Sequence, residues 1–469
     1  MMQLIRDPAY ALLKEFLIEF TGLAYYADKD DDLAGRVERR MEKLRVRGCA
    51  AYLDLLRQGR TGEAELDALI AELTIGETYF FRHGELFDAL RDSVLPDLIE
   101  RNRHTRRLRI WSAGCAAGPE PYSVAILLRR ELGRRVAGWE VSILGTDINR
   151  EFLARAREGR FDDWALRSVP DDLKRSCFTR CGDAWVIAPE YREGVSFQYH
   201  NLVKHPFPSL LNNLAAFDLI LCRNVTIYFS QETIRRTAER FHECLVDGGW
   251  LAVGHAEPNA EVFGLFRAVN LPGAVFYQKR PGEGIAPFPA DAWTPPSLPP
   301  VLDATGASAL PAPEGWPFSR PFGPSAAHPK GDEGPPSPLT LEDVRRLADR
   351  GAYEQAVEGC EALLEKERLN PRFHFYRALA LEQVGRHAET EQALRRAIYL
   401  DRGFVLAHYH LGLFLQRRGD GRGAGRSFEN ALRLLSRMDP ARPFEDGDGV
   451  RVAELKALTE MHLEVLRSP

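Results

Sequence analysis

Two short stretches of this 469-residue chain carry groups suited to holding a nucleoside. The first, Ala113-Gly114-Cys115-Ala116-Ala117-Gly118, lies between an apolar run and a helix-forming stretch from Glu120 to Leu132. Glycines in such a turn let the main chain approach a nucleotide-like ligand at a helix N-terminus. The second, Gly145-Thr146-Asp147, ends the next apolar run and sets a carboxylate beside that turn, where it suits two ribose hydroxyls. Either stretch alone is a weak sign; together they point to an adenosine-containing cofactor. The glycines are not spaced G-x-G-x-x-G and no basic residue is placed for a pyrophosphate. A nicotinamide dinucleotide is therefore disfavoured relative to S-adenosylmethionine.

These groups need a scaffold, and the pattern of the chain supplies one. From Leu108 onward, apolar runs (LRIWSAG, VSILGTD, VSFQYHN, FDLILCRN, WLAVGHAE) alternate with helical stretches, which predicts a parallel sheet wrapped by helices. Two final runs, FRAVN and AVFYQKR, are separated only by Leu271, Pro272 and Gly273, a spacing that permits an antiparallel hairpin. Residues up to about Leu73 carry apolar residues at helical spacing with no alternation of period two. Residues 281–338 are dense in Pro, Gly, Ala and Ser, and are expected to form an extended linker. Beyond it Gly351, Gly385 and Gly419 recur at about 34 residues, as do Leu347, Leu381 and Leu415, the period of TPR helix–turn–helix units. Thr390 stands where the neighbouring units have Ala356 and Ala424, and the stretch from Val450 to Leu466 is expected to cap the array. The boundaries expected are a helical domain over 1–85, an α/β domain over 86–280, the linker, and about three repeats with a final helix over 339–469.

The ordered motifs resemble one family. Glu77-Thr78-Tyr79-Phe80-Phe81-Arg82, the block Trp111 to Ser123, Leu144 to Ile148, Phe217 to Phe229 and Gly254-His255-Ala256-Glu257 are similar, in the same order, to the blocks of the chemotaxis receptor methyltransferases called CheR. The resemblance covers roughly residues 10–280. It implies a helical N-terminal domain and a class I, Rossmann-like S-adenosylmethionine-dependent methyltransferase domain with a small β insertion, joined here to an all-α TPR solenoid. It implies a cofactor site at Gly76, Thr78, Arg82, Gly114, Glu120, Asp147, Asn201, Leu202, Arg223 and Asn224, with Arg82 and Tyr228 flanking the transferred methyl. Gly76 stands where the family often has Asn, and Pro119 replaces the first Glu of an E-E-P-Y motif. No metal is implied. The insertion between Phe178 and Val195 is short, which predicts at most a small hairpin.

The reaction implied is esterification of receptor glutamates, giving glutamate 5-O-methyl esters and S-adenosylhomocysteine. The expected partners are the cytoplasmic helical bundle of a chemoreceptor and a further protein bound by the repeats. Arg36, Arg39, Arg40, Lys43 and Arg47 recur at helical spacing and form a candidate docking face for an acidic bundle. A net charge of −5 argues against a nucleic-acid binder, and no run of 18 apolar residues exists to cross a bilayer. Seven cysteines, an odd number in a large chain, suit a reducing compartment, so a cytoplasmic location is expected. Bland readings apply residue by residue: Phe80 and Phe81 as core, His255 as a loop histidine, Cys115 and Cys222 as small fillers. Two alternatives stay open, a degenerate scaffold acting through its repeats and a same-fold methyltransferase with another acceptor.

Overall fold

The computed structural model describes residues 2–280 and 339–467, apart from 350, 441, 443 and 445–449. The linker expected at 281–338 lies outside the described residues. The N-terminal helices are α1 (Met2–Ile5), α2 (Tyr10–Thr21), α3 (Asp30–Leu44), α4 (Cys49–Leu56) and α5 (Gly59–Leu73). Their apolar stripes close one core around Leu13, Leu17, Leu33, Val37, Tyr52 and Leu69. The basic face expected on α3 divides on folding. Arg40 turns inward, where its guanidinium makes a paired contact with both oxygens of Glu65 at 3.0 and 2.6 Å, and Tyr52 donates to the same carboxylate at 2.6 Å. Arg36 binds Asp32 and the Glu72 carbonyl, while Arg39, Lys43 and Arg47 stay exposed. Helical spacing fixes which side of a helix a residue occupies; the partner on α5 decides that Arg40 is buried.

Two further helices, α6 (Gly84–Ala89) and α7 (Leu95–Arg101), lead into an α/β domain. Its elements run β1 (Arg107–Ala113), α8 (Pro119–Arg130), β2 (Glu140–Asp147), α9 (Arg150–Glu158), β3 (Arg160–Phe161), α10 (Asp171–Cys177), β4 (Phe178–Cys181), β5 (Ala184–Ile187) and β6 (Val195–Tyr199). They continue through β7 (Phe217–Cys222), α11 (Gln231–Cys244), β8 (Leu245–Val253), β9 (Arg267–Leu271) and β10 (Ala274–Gln278). The main sheet has the order β6-β2-β1-β7-β8-β10-β9, parallel from β6 to β8 and antiparallel at β10 and β9. The expected hairpin is therefore present. Alternation along the strands sorts the core: Leu219, Leu221 and Ala252 face α6 to α8, whereas Ile220, Cys222 and Leu251 face Phe241 of α11. The β insertion is larger than a hairpin, because Arg160 and Phe161 add a third strand beside β5. A two-residue strand carries no alternation from which to expect it.

The C-terminal helices pair as α12 (Leu341–Asp349) with α13 (Tyr353–Lys366), α14 (Pro371–Gln383) with α15 (His387–Leu400), and α16 (Val405–Arg417) with α17 (Gly421–Leu435). The recurring glycines sit between the helices of each pair at φ of 84°, 78° and 79°, a left-handed turn that excludes most side chains. Thr390 is fully buried in the second unit, and its hydroxyl donates to the Arg386 carbonyl at 3.1 Å, which satisfies the group that replaces alanine. The last helix, α18 (Val452–Arg467), packs on α17 as the expected cap. The repeats meet the α/β domain at the amino end of β1. There Arg107 donates to the carbonyls of Glu382 and Gln383, and the Leu210 amide donates to Asp349.

Breaking a buried ion pair from one side strands the other charge, a loss of about 3–5 kcal/mol. Arg40→Ala is expected to destabilise the protein by about that much in denaturant titration. Arg39→Ala, which removes an exposed contact to Glu72, is expected to cost under about 1 kcal/mol.

Candidate cofactor and acceptor site

The strand order turns at β1, with β2 on one side and β7 on the other, and ligands bind open α/β sheets at the carboxyl edge of such a switch. A cleft enclosing about 1140 Å³ of space, open solvent included, lies there. The α/β domain supplies Gly114, Glu120, Asp147, Asn201, Leu202, Arg223, Asn224 and Tyr228 to its wall, and the segment before α6 supplies Thr78 and Arg82. Ten of the eleven residues expected at the site thus meet in one cavity. Gly76 does not: its neighbours Ile75 and Glu77 line the cleft, whereas a Cβ on Gly76 would stand 2.3 Å from the Phe152 ring. The residue is small because it packs under Phe152, which itself lines the cleft.

Gly114 is small for a related reason. It has φ of 80°, and a Cβ there would meet Val225 at 2.3 Å, so the β1 turn and the β7 loop close on each other only through glycine. Arg223 ties the same region together. Its guanidinium pairs with Glu120 at 2.9 Å, donates to the Arg82 carbonyl at 2.5 Å and touches His83 Nδ1 at 3.0 Å. Ser112 donates to the second oxygen of Glu120 at 2.7 Å. Burial, with Arg223 beside it, lowers the His83 pKa to about 4, which keeps that ring neutral.

A group that sequence reasoning passed over holds the far wall. The Glu257 carboxylate accepts from the amides of Asn224, Val225 and Thr226 at 2.8 to 3.0 Å, from the Thr226 hydroxyl at 2.8 Å and from the Gly254 amide at 2.5 Å. It thereby fixes Asn224 in a left-handed conformation, φ 59°, with a buried Oδ1 that has no hydrogen-bond partner among the described residues. The Arg82 Nε is likewise buried without a partner, although Arg82 Nη1 donates to the Glu77 carbonyl at 2.7 Å. Unpaired buried polar atoms are costly, and these two belong to side chains that line the cleft. Asp147 accepts from the Ala116 and Asn149 amides at 2.9 and 2.8 Å, yet burial dominates and raises its pKa to about 6. Tyr25 and Tyr26, between α2 and α3, also line the cleft, and Tyr25 meets Tyr228 edge-to-face at 5.9 Å. No motif marks these two tyrosines. Burial raises the Tyr228 pKa above its ordinary value and outweighs the nearby Arg82, so the phenol keeps its proton. Phe80 is fully buried against Phe161 and Phe178, as expected of core. Cys115 and Cys222 are buried, and burial pushes both thiols well up.

A family model described as CheR methyltransferase, SAM binding domain, matches residues 76–274, and one described as CheR methyltransferase, all-alpha domain, matches residues 8–74. The chain is 37% identical to a chemotaxis protein methyltransferase of Listeria innocua over 41% of this chain and 69% of that protein. It is 30% identical to chemotaxis protein methyltransferase 2 of Vibrio cholerae over 59% of this chain and 94% of that one. Against chemotaxis protein methyltransferase 1 of Pseudomonas aeruginosa the figures are 30%, 58% and 97%. Among solved structures, the Yersinia enterocolitica translocator chaperone SycD is 16% identical over 26% of this chain and 78% of its own, with a TM-score of 0.23, a likeness too slight to bear on function. The matched binding domain makes S-adenosylmethionine the cofactor, and the donor set fits it: a carboxylate at the end of β2, an unpaired Asn224 oxygen and a glycine turn that brings main chain to the cleft.

Two outcomes follow from this geometry. A glutamine at position 257 keeps one acceptor oxygen and loses the other, which leaves at least one loop amide unpaired. Hydrogen bonds to charged groups contribute about 1.5–3 kcal/mol, so Glu257→Gln is expected to weaken S-adenosylmethionine binding by about tenfold or more in calorimetry. Asp147 bears on pH in two ways. Its folded pKa, about 6, lies above that of an unfolded carboxylate, near 4. Its contribution to stability therefore declines as pH rises from about 4 to about 6 and is level above that. A ribose diol donates more strongly to the ionised form, whose two oxygens both accept, so cofactor affinity is expected to fall as pH drops below about 6, and Asp147→Asn is expected to flatten that dependence.

Proposed function

This chain belongs to the CheR family of methyltransferases, and on that premise we propose that it esterifies glutamate side chains of a chemoreceptor, releasing S-adenosylhomocysteine. The observation that carries the reading is the position of Arg82 and Tyr228. A cation with a buried, unpaired Nε and a protonated phenol share the wall of the cofactor cleft.

S-adenosylmethionine supplies a methyl group on a positively charged sulfur, open to in-line displacement. A glutamate carboxylate, with a pKa of about 4.3, is ionised at neutral pH and needs no base to become a nucleophile. The carboxylate oxygen bonds to the methyl carbon as the carbon–sulfur bond breaks, leaving a neutral ester. The chain therefore has to provide position, with the oxygen about 3–3.5 Å from the methyl carbon. Arg82 presents the planar donor fork that suits a carboxylate, and Tyr228 can donate a hydrogen bond to it. No general base is needed, and none of the cysteines near the cleft is set up as a nucleophile. His83, neutral beside Arg223, supports the wall and does not move protons.

The repeats are read as a protein-binding module in the same pathway. Their contact at Arg107 lies at the first residue of β1, whereas the cleft opens just beyond its last, about 20 Å away at the rise of a strand. A partner held by the repeats leaves the cleft accessible from the opposite end of the sheet.

Arg82→Ala is expected to reduce transfer of labelled methyl to a receptor fragment at least about a hundredfold while S-adenosylhomocysteine still binds. The methyl incorporated is expected to be released by mild base, as an ester is. Label that survives base would move the assignment to a nitrogen acceptor, and turnover retained by Arg82→Ala would remove the role given to that residue.

A further inference from the structure

The connection from β6 to β7 carries a turn whose residue types do not suit a surface. Ser209 and Leu214 exchange main-chain hydrogen bonds at 3.0 and 2.9 Å and close Leu210-Leu211-Asn212-Asn213 between them. Surface turns favour polar residues, yet the tip holds two consecutive leucines that are only 5% and 6% exposed. The repeats meet it there. The Leu210 amide donates to Asp349 of α12 at 3.0 Å, and His410 of α16 meets the Leu211 main chain. On α14 the carbonyls of Glu382 and Gln383 receive Arg107. The first helix of each pair thus contributes, and in a solenoid such helices form one row. Along α16 eight consecutive residues, Val405 to Gly412, are buried, which covers every side of that stretch. Part of the row is filled by the chain's own α/β domain.

This interface is polar and incompletely paired. Glu382 is buried in an ion pair with Arg417. Burial, with Arg107 and Arg417 close by, lowers the Arg109 pKa to about 10. The Arg109 Nε, the hydroxyl of Tyr353 near it and the Nδ1 of His387 near Arg107 are buried with no hydrogen-bond partner among the described residues. Such atoms are costly while buried and are relieved once water reaches them. An interface of this kind opens more readily than an apolar core.

The same connection begins at the cofactor cleft. His200, Asn201 and Leu202 line it, and Leu202 lies eight residues before Leu210. Arg240 of α11 makes one rigid piece of the stretch between. It donates to the carbonyls of Leu202 and Phe207 at 3.0 and 2.9 Å and to that of His205, with its guanidinium 3.7 Å from the centre of the Phe207 ring. At the end of the turn, Arg109 of β1 donates to Asn213 Oδ1 at 2.8 Å. A displacement of the tip reaches the cofactor wall through few joints.

We propose that the repeats are a clamp on the cofactor site: their row of first helices takes the turn Ser209–Leu214 as an internal ligand, and a protein that binds the row displaces the turn and loosens S-adenosylmethionine. Coupling of this kind is reciprocal, so bound cofactor also strengthens the docking of the repeats. Repeats so employed do more than recruit. A partner has a competitor within the chain, and its arrival is felt at the cleft. The clamp rests on the cofactor assignment above and is independent of which acceptor is methylated.

The test uses the full-length protein, with hydrogen exchange and calorimetric binding of S-adenosylhomocysteine as readouts. The double variant Arg107→Ala/Asp349→Ala removes two side chains that join the repeats to the α/β domain. It is expected to speed exchange of the amides of residues 209–216 about tenfold and to weaken S-adenosylhomocysteine about fivefold. Helices α2 and α3 are expected to exchange as in the parent, which separates undocking from global unfolding. In the parent protein, saturating S-adenosylhomocysteine is expected to slow exchange at the repeat turns of Gly351 and Gly385 about fivefold, a measurement that needs no substitution. Exchange at 209–216 that does not change in the folded double variant overturns the clamp. Faster exchange with unaltered S-adenosylhomocysteine affinity, or repeat turns indifferent to that ligand in the parent, overturns the coupling. A parent protein that binds no S-adenosylhomocysteine overturns the cofactor assignment, and the clamp with it.

Discussion

The site depends on one ion pair at the switch point of the sheet. Arg223, at the end of β7, reaches Glu120 in the first turn of α8 with its side chain 2% exposed, and Glu120 is 13% exposed. Isolating two charges from water costs more than their attraction returns unless further hydrogen bonds complete the arrangement. Here they do in large part: Ser112 serves the second carboxylate oxygen and the Arg82 carbonyl takes a second guanidinium nitrogen, while Arg223 Nε stays without a hydrogen-bond partner among the described residues. The pair joins three pieces of chain far apart in sequence, namely the segment before α6, the β1–α8 connection and the β7 loop. Such a contact is a poor source of stability and a good source of registration. It sets where Arg82 stands relative to the end of the sheet.

Glu257 completes that registration from the other side. By gathering three consecutive loop amides, a hydroxyl and the Gly254 amide onto one carboxylate, it holds Asn224 in a left-handed conformation. A left-handed asparagine is tolerated at modest cost. The result is a buried oxygen, on a side chain that lines the cleft, with no hydrogen-bond partner among the described residues. The helical domain closes the remaining side through Tyr25 and Tyr26, and Tyr26 donates to the Leu73 carbonyl at 2.7 Å at the end of α5. The cofactor site is thus shared between two domains, and neither alone presents all of its wall.

What could be read in advance follows from how local each signal is. The β7 run FDLILC, apolar throughout, announces a strand covered on both faces, and all six of its residues are buried. The glycine period of the repeats and the Pro-Gly between β9 and β10 are equally local, and both appear where the spacing put them. The arrangement of cleft residues was legible because the motifs occur in order. Three things were not. The resemblance puts Gly76 in the cofactor site, whereas a glycine there leaves room for the Phe152 ring, 76 residues away in sequence. Arg40 shares its spacing with exposed arginines and is distinguished only by Glu65 on another helix. Glu257 sits in a recognisable block, but its role exists only once β8 brings it under the Asn224 loop. Each of these is a contact between distant segments, which no pattern within one segment encodes.

The acceptor's chemistry explains why so much of the structure is devoted to holding groups still. A hydroxyl or amine acceptor would need a base of tuned pKa; His83, lowered to about 4, is a weak one, the Cys115 and Cys222 thiols and Tyr228 keep their protons, and the Asp147 carboxylate, raised to about 6, is engaged by the Ala116 and Asn149 amides. An anion that is already nucleophilic asks only to be aimed. Arg82 is fixed at both ends for that task, its carbonyl by Arg223 and its guanidinium by the Glu77 carbonyl, while its buried Nε has no hydrogen-bond partner among the described residues. A lysine could offer the charge without the planar fork, and it would lack the fixed direction that near-attack geometry requires.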